Sequence, residues 1–188
     1  MATTTFFLVR HGQSTWNVAR VIQGHADDAH LTPQGRDQAA AAAAVLAQKG
    51  AARVVTSDLA RAAQTAQIIA DALALPLEVD AGLRERHYGA LEGRHADDVA
   101  ALMDDVIEGV IVDATAHPGG GESLEEFLHR SRDALARLAR RYPGERIIAV
   151  THGGVIRVLR AAEETPELVG AHWRTVPNAE VWTTEVES

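Results

Sequence analysis

The sequence has no cysteine among its 188 residues, which excludes disulfides, thiolate metal sites and cysteine nucleophiles and is typical of a reducing compartment. It also has no excess of positive charge, because 18 Lys and Arg face 26 Asp and Glu and give a formal net charge of −8. Proteins that bind nucleic acids hold the phosphate backbone with clustered cations, so we expect no nucleic-acid partner. No apolar run approaches the roughly 18 residues that span a bilayer, and residues 1–7 lack a basic signal region. We expect a cytoplasmic protein without a membrane partner.

The chain carries enough apolar residues, 46% of the total, for one sizeable core. We therefore expect a single domain over residues 1–188. Strand-like and helix-like patterns alternate along it, which predicts an α/β fold in which parallel strands have helices on both faces. The strand-like segments are 5–9, 53–56, 77–79 and 147–150, and the helical segments are 32–48, 59–73, 124–141 and 155–162.

Residues 94–122 interrupt this regularity. The segment mixes acidic and apolar residues and ends in Gly119-Gly120-Gly121, which lacks the following Lys-Ser/Thr of a nucleotide-binding P-loop. Long loops of this kind are often functional. We interpret the segment as a lid or specificity insertion, with an ordinary surface insertion as the alternative. Apolar side chains within residues 106–112 would suit a homodimer contact.

The segment LVRHGQSTWN, residues 8–17, places Arg10, His11 and Gly12 after an apolar strand. A second strand-like run ends in the same way at His152-Gly153 and precedes a predicted helix. In parallel α/β sheets, ligands bind at the carboxyl ends of strands, where helix N-termini offer amides to anions. The two histidines are therefore expected to face one site. The alternative for each is a histidine that serves only packing.

Two further segments follow strand-like runs and supply polar groups, SDLAR at 57–61 and LRERHYGALEG at 83–93. With the two His-Gly motifs, they make four separated motifs in order over residues 6–179. In this pattern the chain resembles the histidine phosphatase superfamily, also called the phosphoglycerate-mutase-like family. The resemblance implies a three-layer sandwich around a mostly parallel sheet.

The resemblance implies a role for His11 as the nucleophile that forms a phosphohistidine. A nucleophilic imidazole must be neutral, and the cations Arg10, Arg61 and His152 would lower its pKa while they bind phosphate. Read alone, Arg61 could instead be a surface arginine paired with Asp58.

Three further positions, Asn17, Gln23 and Gly24, match family residues that contact phosphate through amides. After Gly24 the family usually continues with Asp-x-Pro-Leu-Thr, whereas DDAHLT at 27–32 lacks the proline. This departure predicts a freer loop and leaves the contacts of Gln23 and His25 open.

A general acid must protonate the leaving alkoxide, and Glu85 matches the family's acid-bearing segment. The alternative is a surface ion pair with Arg84 or Arg86. Family members that act on protein phosphohistidine need no strong acid, so Glu85 favours phosphate esters.

No metal or other cofactor is expected, because cationic side chains supply the charge that metals give other phosphotransferases. His25, Asp27 and His30 lie near one another in sequence but match no ligand spacing that we recognise.

The sequence therefore predicts a phosphomonoesterase acting on a small-molecule phosphate ester. The alternatives are a cofactor-dependent phosphoglycerate mutase and a catalytically silent phosphate-binding module. The substrate is not determined, although five side chains stand where they could contact its remainder: Arg84, Arg86, His87, Tyr88 and His117.

Overall fold

The structure, a computed structural model, describes residues 2–187. The strands in this range are β1 (Thr3–Arg10), β2 (Arg53–Thr56), β3 (Leu77–Val79), β4 (Val106–Ile107), β5 (Val110–Ile111), β6 (Arg146–Thr151) and β7 (Val181–Glu187). The helices are α1 (Thr15–Val18), α2 (Pro33–Leu46), α3 (Ala60–Leu73), α4 (Ala96–Val99), α5 (Leu124–Arg141) and α6 (Gly153–Glu164). None of the helices in the described range is both long and apolar enough to cross a membrane.

The central sheet has the strand order β3-β2-β6-β1-β7. The first four strands are mutually parallel, and β7 runs antiparallel to β1 at the edge. The expected α/β fold with a mostly parallel sheet is confirmed. The edge strand β7 was not among the predicted strands.

Helices cover both faces of the sheet because the strand side chains alternate between two apolar cores. In β1, Phe6 and Leu8 face the core that includes α5 and α6, whereas Phe7 and Val9 face the core with α2 and α3. All four side chains are at most 2% exposed. The register of the buried strands is therefore fixed, because a shift of one strand by one residue would move each of its side chains to the opposite face of the sheet.

The helix boundaries follow the capping residues in the sequence. Thr32 caps α2 by accepting the Gly35 amide at 3.0 Å, with a proline at the first helical position. Ser123 and Glu126 form the predicted capping box at the start of α5, with bonds of 3.1 and 3.0 Å. These contacts satisfy amides that the first helical turn leaves unpaired.

Residues 94–122 are less irregular than their sequence indicates. They contain α4 and the hairpin of β4 and β5, and the hairpin bonds to the chain after α6 through the Ile111 amide and the Ala171 carbonyl at 3.0 Å. Elements of two to four residues are too short to show a periodic pattern. Ile111 is fully buried, so among the apolar side chains considered for a homodimer contact only some, such as Ile107 and Val112, are exposed.

Three strands of the sheet end at the same level. Arg10 of β1 pairs with Thr151 of β6, and Thr56 of β2 pairs with Val150 of β6. The residues that follow these strands therefore meet at one edge.

Candidate active site

The two His-Gly motifs lie side by side at this edge. His11 follows β1, and His152 follows β6 and precedes α6. Their ring centroids are 5.3 Å apart with an interplanar angle of 62°. The side chains are only 3% and 0% exposed. The structure thus brings the two predicted histidines together in a shielded position.

The main chain fixes the tautomer of His11. Its Nδ1 lies 2.7 Å from the Gly12 carbonyl oxygen. Since a carbonyl only accepts, Nδ1 carries the proton and Nε2 keeps its lone pair. The position of Gly12 is fixed by its amide, which donates to Thr65 Oγ1 at 3.0 Å. A larger residue would not fit there, because a Cβ at Gly12 would lie 2.2 Å from the Gly35 carbonyl oxygen.

The ring of His152 is held by Ser57, which follows β2. Its Nε2 lies 2.9 Å from Ser57 Oγ, whereas Nδ1 is buried and has no hydrogen-bond partner in the described chain. Both side chains are fully buried. A ring whose Nε2 accepts the serine hydroxyl carries its proton on Nδ1, which then is a free donor.

Two arginines lie beside the histidines. Arg10 donates through one terminal nitrogen to the Val176 carbonyl. Arg61, 1% exposed in the first turn of α3, donates to the carbonyls of Gly24 at 2.7 Å and Ala26 at 3.0 Å. The Nε atoms of both arginines are buried without a protein acceptor among residues 2–187. Arg61 is not paired with Asp58, whose carboxylate binds Arg84 at 2.5 Å.

Burial and positive neighbours keep both imidazoles neutral. Burial first, and then Arg61 and Arg10, hold the pKa of His11 well below its ordinary value. Burial, Arg61 and His11 likewise lower the pKa of His152. The pKa of Arg61 falls to about 10, mainly because of burial, so the guanidinium stays charged at neutral pH.

The predicted amide residues line the loop next to β1. Asn17 Oδ1 accepts the Ser14 amide at 3.0 Å and Asn178 Nδ2 at 3.2 Å. Gln23 Oε1 accepts Ser14 Oγ at 2.9 Å. With both side-chain oxygens engaged, the NH₂ groups of Asn17 and Gln23 remain as donors.

The loop from Gly24 to Asp27 is tethered although it lacks the family's proline. Arg61 holds the Gly24 and Ala26 carbonyls, His25 Nε2 contacts the Glu85 carbonyl at 2.9 Å, and Asp27 accepts the Ala60 amide at 2.5 Å. Side-chain contacts thus hold this loop at the place where the resembling family has a proline.

The Glu85 carboxylate lies at the N-terminus of α6. Its Oε2 accepts the Gly154 amide at 3.0 Å, and its Oε1 accepts the Arg86 amide at 2.8 Å. The alternative of a surface ion pair is not found, since Arg84 binds Asp58 and Arg86 binds Asp105. Arg86 is only 1% exposed, so it is not available to contact a substrate as suggested from the sequence.

The three residues considered as metal ligands have separate partners. His25 contacts Glu85, Asp27 contacts Ala60, and His30 Nδ1 lies 3.1 Å from Gln64 Nε2. Across residues 2–187 no three His, Cys, Asp or Glu side chains form a group suited to a metal ion.

Arg130 of α5 is a residue that the sequence analysis missed. Its guanidinium donates to the carbonyls of Gly82, Arg84 and Glu85, each at 3.0 Å, and to both oxygens of Glu122 at 2.7 Å. It thereby holds the main chain that carries Glu85. Nothing local in sequence indicates this contact, because about 45 residues separate the partners.

Comparison with known proteins agrees with this geometry. Residues 6–188 match the family profile described as histidine phosphatase superfamily (branch 1). The chain is 43% identical over 157 residues to the Arabidopsis thaliana phosphoglycerate mutase-like protein 4, covering 81% of this chain and 67% of the relative. It is 39% identical over 160 residues to a metal-independent phosphoserine phosphatase of the same plant, covering 83% and 67%.

A solved structure resembles nearly the whole chain. The mycobacterial glucosyl-3-phosphoglycerate phosphatase in complex with VO3 superposes with a TM-score of 0.82 at 33% identity, covering 97% of this chain and 90% of the other. The chain belongs to the histidine phosphatase superfamily, branch 1.

Proposed function

We propose that this chain is a metal-independent phosphomonoesterase that hydrolyses small-molecule phosphate esters through a phosphohistidine on His11. The observation that supports it most is a set of buried donors beside the free lone pair of His11. Arg10 Nε, Arg61 Nε and His152 Nδ1 have no protein acceptor in the described chain. Buried donors without partners are costly, and a phosphoryl group would supply acceptor oxygens for all of them.

In the first step, Nε2 of His11 attacks phosphorus and the bond from phosphorus to the ester oxygen breaks. Arg10, Arg61 and His152 stabilise the charge on the phosphoryl oxygens. Protonated Glu85 gives its proton to the departing oxygen, which leaves as an alcohol.

In the second step, ionised Glu85 accepts a proton from water while the water oxygen attacks phosphorus. The bond between phosphorus and Nε2 breaks, so inorganic phosphate leaves and His11 returns to its neutral form. The Gly154 amide is compatible with both steps. It holds the Glu85 carboxylate by a 3.0 Å hydrogen bond to Oε2, and each carboxylate oxygen keeps a further lone pair that can carry or accept a proton.

Named relatives support the phosphatase assignment. One is a metal-independent phosphoserine phosphatase, and a structural neighbour is a glucosyl-3-phosphoglycerate phosphatase. Both names describe hydrolysis of a phosphate ester.

Phosphoglycerate mutase is the second candidate, because another relative is named phosphoglycerate mutase-like protein 4. A mutase must retain a bisphosphorylated intermediate. The mutases that this chain resembles have a basic insertion after the acid-bearing segment. Here Arg94 is the only Lys or Arg between residues 94 and 122. This composition favours hydrolysis.

We also propose that residues 94–122 form the specificity segment of a single domain spanning residues 1–188. The end of the segment contacts the chain beyond Glu85, since the Glu122 amide donates to the His87 carbonyl at 2.8 Å and Glu122 Oε2 accepts the His87 amide at 2.9 Å.

The test is phosphate release from p-nitrophenyl phosphate and a panel of alkyl phosphates, ranked by kcat/KM. We expect release by the wild type, none by His11→Asn, and no dependence on added bisphosphoglycerate. Faster isomerisation of phosphoglycerate than phosphate release would favour the mutase. Phosphate binding without turnover would identify a silent module.

A further inference from the structure

The peptide unit between His11 and Gly12 is held from two sides of the fold. On one side, the Gly12 amide donates to Thr65 Oγ1 of α3 at 3.0 Å. On the other side, the His11 carbonyl accepts Asn178 Nδ2 at 3.0 Å, from the turn before β7, and lies farther from the Ala179 amide, at 3.4 Å. The two side chains are 53 and 167 residues away along the chain. Both polar groups of one peptide unit are thus bound by side chains of distant segments.

Gly12 gives the backbone next to the nucleophile its freedom to turn. A glycine is required there, since a Cβ would lie 2.2 Å from the Gly35 carbonyl oxygen, but glycine restricts its own dihedral angles less than other residues do. The Gly12 carbonyl is also the group that accepts the Nδ1 proton of His11, at 2.7 Å. Because a peptide unit is planar, a turn of the His11–Gly12 peptide changes the dihedral angles on both sides of it. The direction of His11 Nε2 therefore depends on contacts that prevent this turn.

Thr65 is suited to hold the Gly12 amide. Its side chain is fully buried, and its hydroxyl donates to the Arg61 carbonyl at 2.8 Å. With its only hydrogen used in that bond, Oγ1 keeps a lone pair for the amide. A buried amide without an acceptor is costly, so this bond fixes the direction of the Gly12 N–H group.

Asn178 holds the opposite side of the same peptide. A carbonyl only accepts, so the group of Asn178 that faces His11 is its NH₂. The same nitrogen also donates to Asn17 Oδ1 at 3.2 Å. The turn that carries Asn178 is attached to the end of β1, because the Arg10 amide donates to the Glu180 carbonyl at 3.1 Å. The NH₂ group is thereby held in place beside the His11 carbonyl.

We propose that Thr65 and Asn178 are positioning residues for the nucleophile, which clamp the His11–Gly12 peptide and so direct His11 Nε2 at phosphorus. This inference rests on the proposed phosphomonoesterase function. It assigns neither residue a part in holding His11 by contact with the substrate.

The test separates the first chemical step from binding. The first step is the rate of p-nitrophenol release in a single turnover, with enzyme in excess over p-nitrophenyl phosphate, and binding is the affinity for inorganic phosphate in titration calorimetry. Thr65→Val keeps the shape of the side chain but removes the acceptor of the Gly12 amide. We expect the first step to slow by about 10- to 100-fold, because misplacing a reacting atom by about 1 Å costs about 10²-fold. The affinity for phosphate should stay near that of the wild type, and Thr65→Ser, which restores the hydroxyl, should keep most of the wild-type rate.

Thr4 supplies a matched control near the start of the same strand, β1. It is also fully buried, and its hydroxyl donates to the Tyr142 carbonyl at 3.0 Å and accepts the Gly144 amide at 3.1 Å. Thr4→Val therefore removes the same kind of bond away from the site. We expect it to lower the urea midpoint, as Thr65→Val does, and to keep the wild-type rate of the first step. Equal slowing in both variants would show that Thr65 only stabilises the fold, and would overturn the proposal.

Asn178→Ala tests the other side of the clamp and should also slow the first step. Thr175→Ala, at an exposed position of the same loop, should not. The slowing should persist in an Asn17→Ala background, where Asn178 no longer has Asn17 Oδ1 as an acceptor. A loss that disappears in that background would mean that Asn178 acts through Asn17, and would overturn its place in the clamp.

The clamp and the proposed function fail in different ways. An unchanged first step in Thr65→Val, with a wild type that hydrolyses p-nitrophenyl phosphate, would overturn the clamp and leave the phosphomonoesterase standing. If the wild type released no p-nitrophenol, both would fail.

Discussion

Gly154 and Glu85 are in direct contact, with the Gly154 amide donating to Glu85 Oε2 at 3.0 Å and no room between them for a side chain. In Gly154→Ala the new methyl group would overlap Oε1, so the carboxylate must turn away. We expect kcat for alkyl phosphates to fall by about 10²-fold, the cost of misplacing a catalytic group by about 1 Å.

A second substrate, p-nitrophenyl phosphate, provides the control for this variant. The first step with p-nitrophenyl phosphate, seen as the rate of the p-nitrophenol burst, should fall much less, because this leaving group needs little protonation. An equal loss in the first step for the two kinds of ester would argue against the role of Gly154 in placing the acid.

Arg130 holds the main chain around Glu85 through hydrogen bonds to the carbonyls of Gly82, Arg84 and Glu85. Arg130→Lys keeps the charge but loses the planar fork that reaches three carbonyls. We expect a lower kcat for alkyl phosphates with little change in the affinity for inorganic phosphate, measured by competitive inhibition. Arg132→Lys, at an exposed position of the same helix, should behave as wild type. A weaker affinity for phosphate with normal kcat would contradict this role.

Stability should fall in mild acid because His11 and His152 are buried in the neutral form. Their pKa values are lower in the folded protein than in the unfolded chain, so below pH ~6.5 the unfolded chain binds more protons. Each histidine then costs about 1.4 kcal/mol of unfolding free energy per pH unit until its folded-state pKa is reached.

Urea unfolding between about pH 5 and 7 measures this slope. His11 and His152 together contribute part of this slope, and His152→Gln should remove about half of that part. His129→Gln is the control, since that side chain is 80% exposed. An unchanged slope in His152→Gln would mean that this ring is not held neutral.

The buried ion pair of Arg86 and Asp105 connects residues 94–122 to the segment that carries Glu85. Both side chains are 1% exposed, and Arg86 Nε also donates to the Glu122 carbonyl at 2.8 Å. Asp105→Ala leaves a buried cation without its partner, so we expect a loss of about 3–5 kcal/mol in unfolding free energy. Asp104→Ala, at the exposed neighbouring position, should change it little. Similar urea midpoints for both variants would contradict this interpretation.

Local patterns in the sequence were sufficient for the parallel strands and the main helices. Short apolar runs account for the burial of β1 and β6 on both faces, and Thr32 and Ser123 cap helices through bonds within three residues. The meeting of His11 and His152 also follows from a general rule, because parallel strands end at the same edge.

Contacts between distant segments were not predictable in this way. Arg130 reaches the Glu85 carbonyl across 45 residues, and Asn178 Nδ2 reaches the His11 carbonyl across 167. The strand β7 mixes polar and apolar residues on a half-exposed edge, where the burial pattern is weak. Such features depend on the assembled fold rather than on local sequence.

The most direct measurement is the trapping of a phosphoryl group on His11. Glu85→Gln mixed with p-nitrophenyl phosphate should release a burst of p-nitrophenol and then stall, because the base that activates water is missing. After an alkaline quench, which preserves phosphohistidine, mass spectrometry should find one phosphoryl group on His11 and none in His11→Asn. Steady phosphate release by His11→Asn, or a phosphoryl group on another residue, would contradict the mechanism.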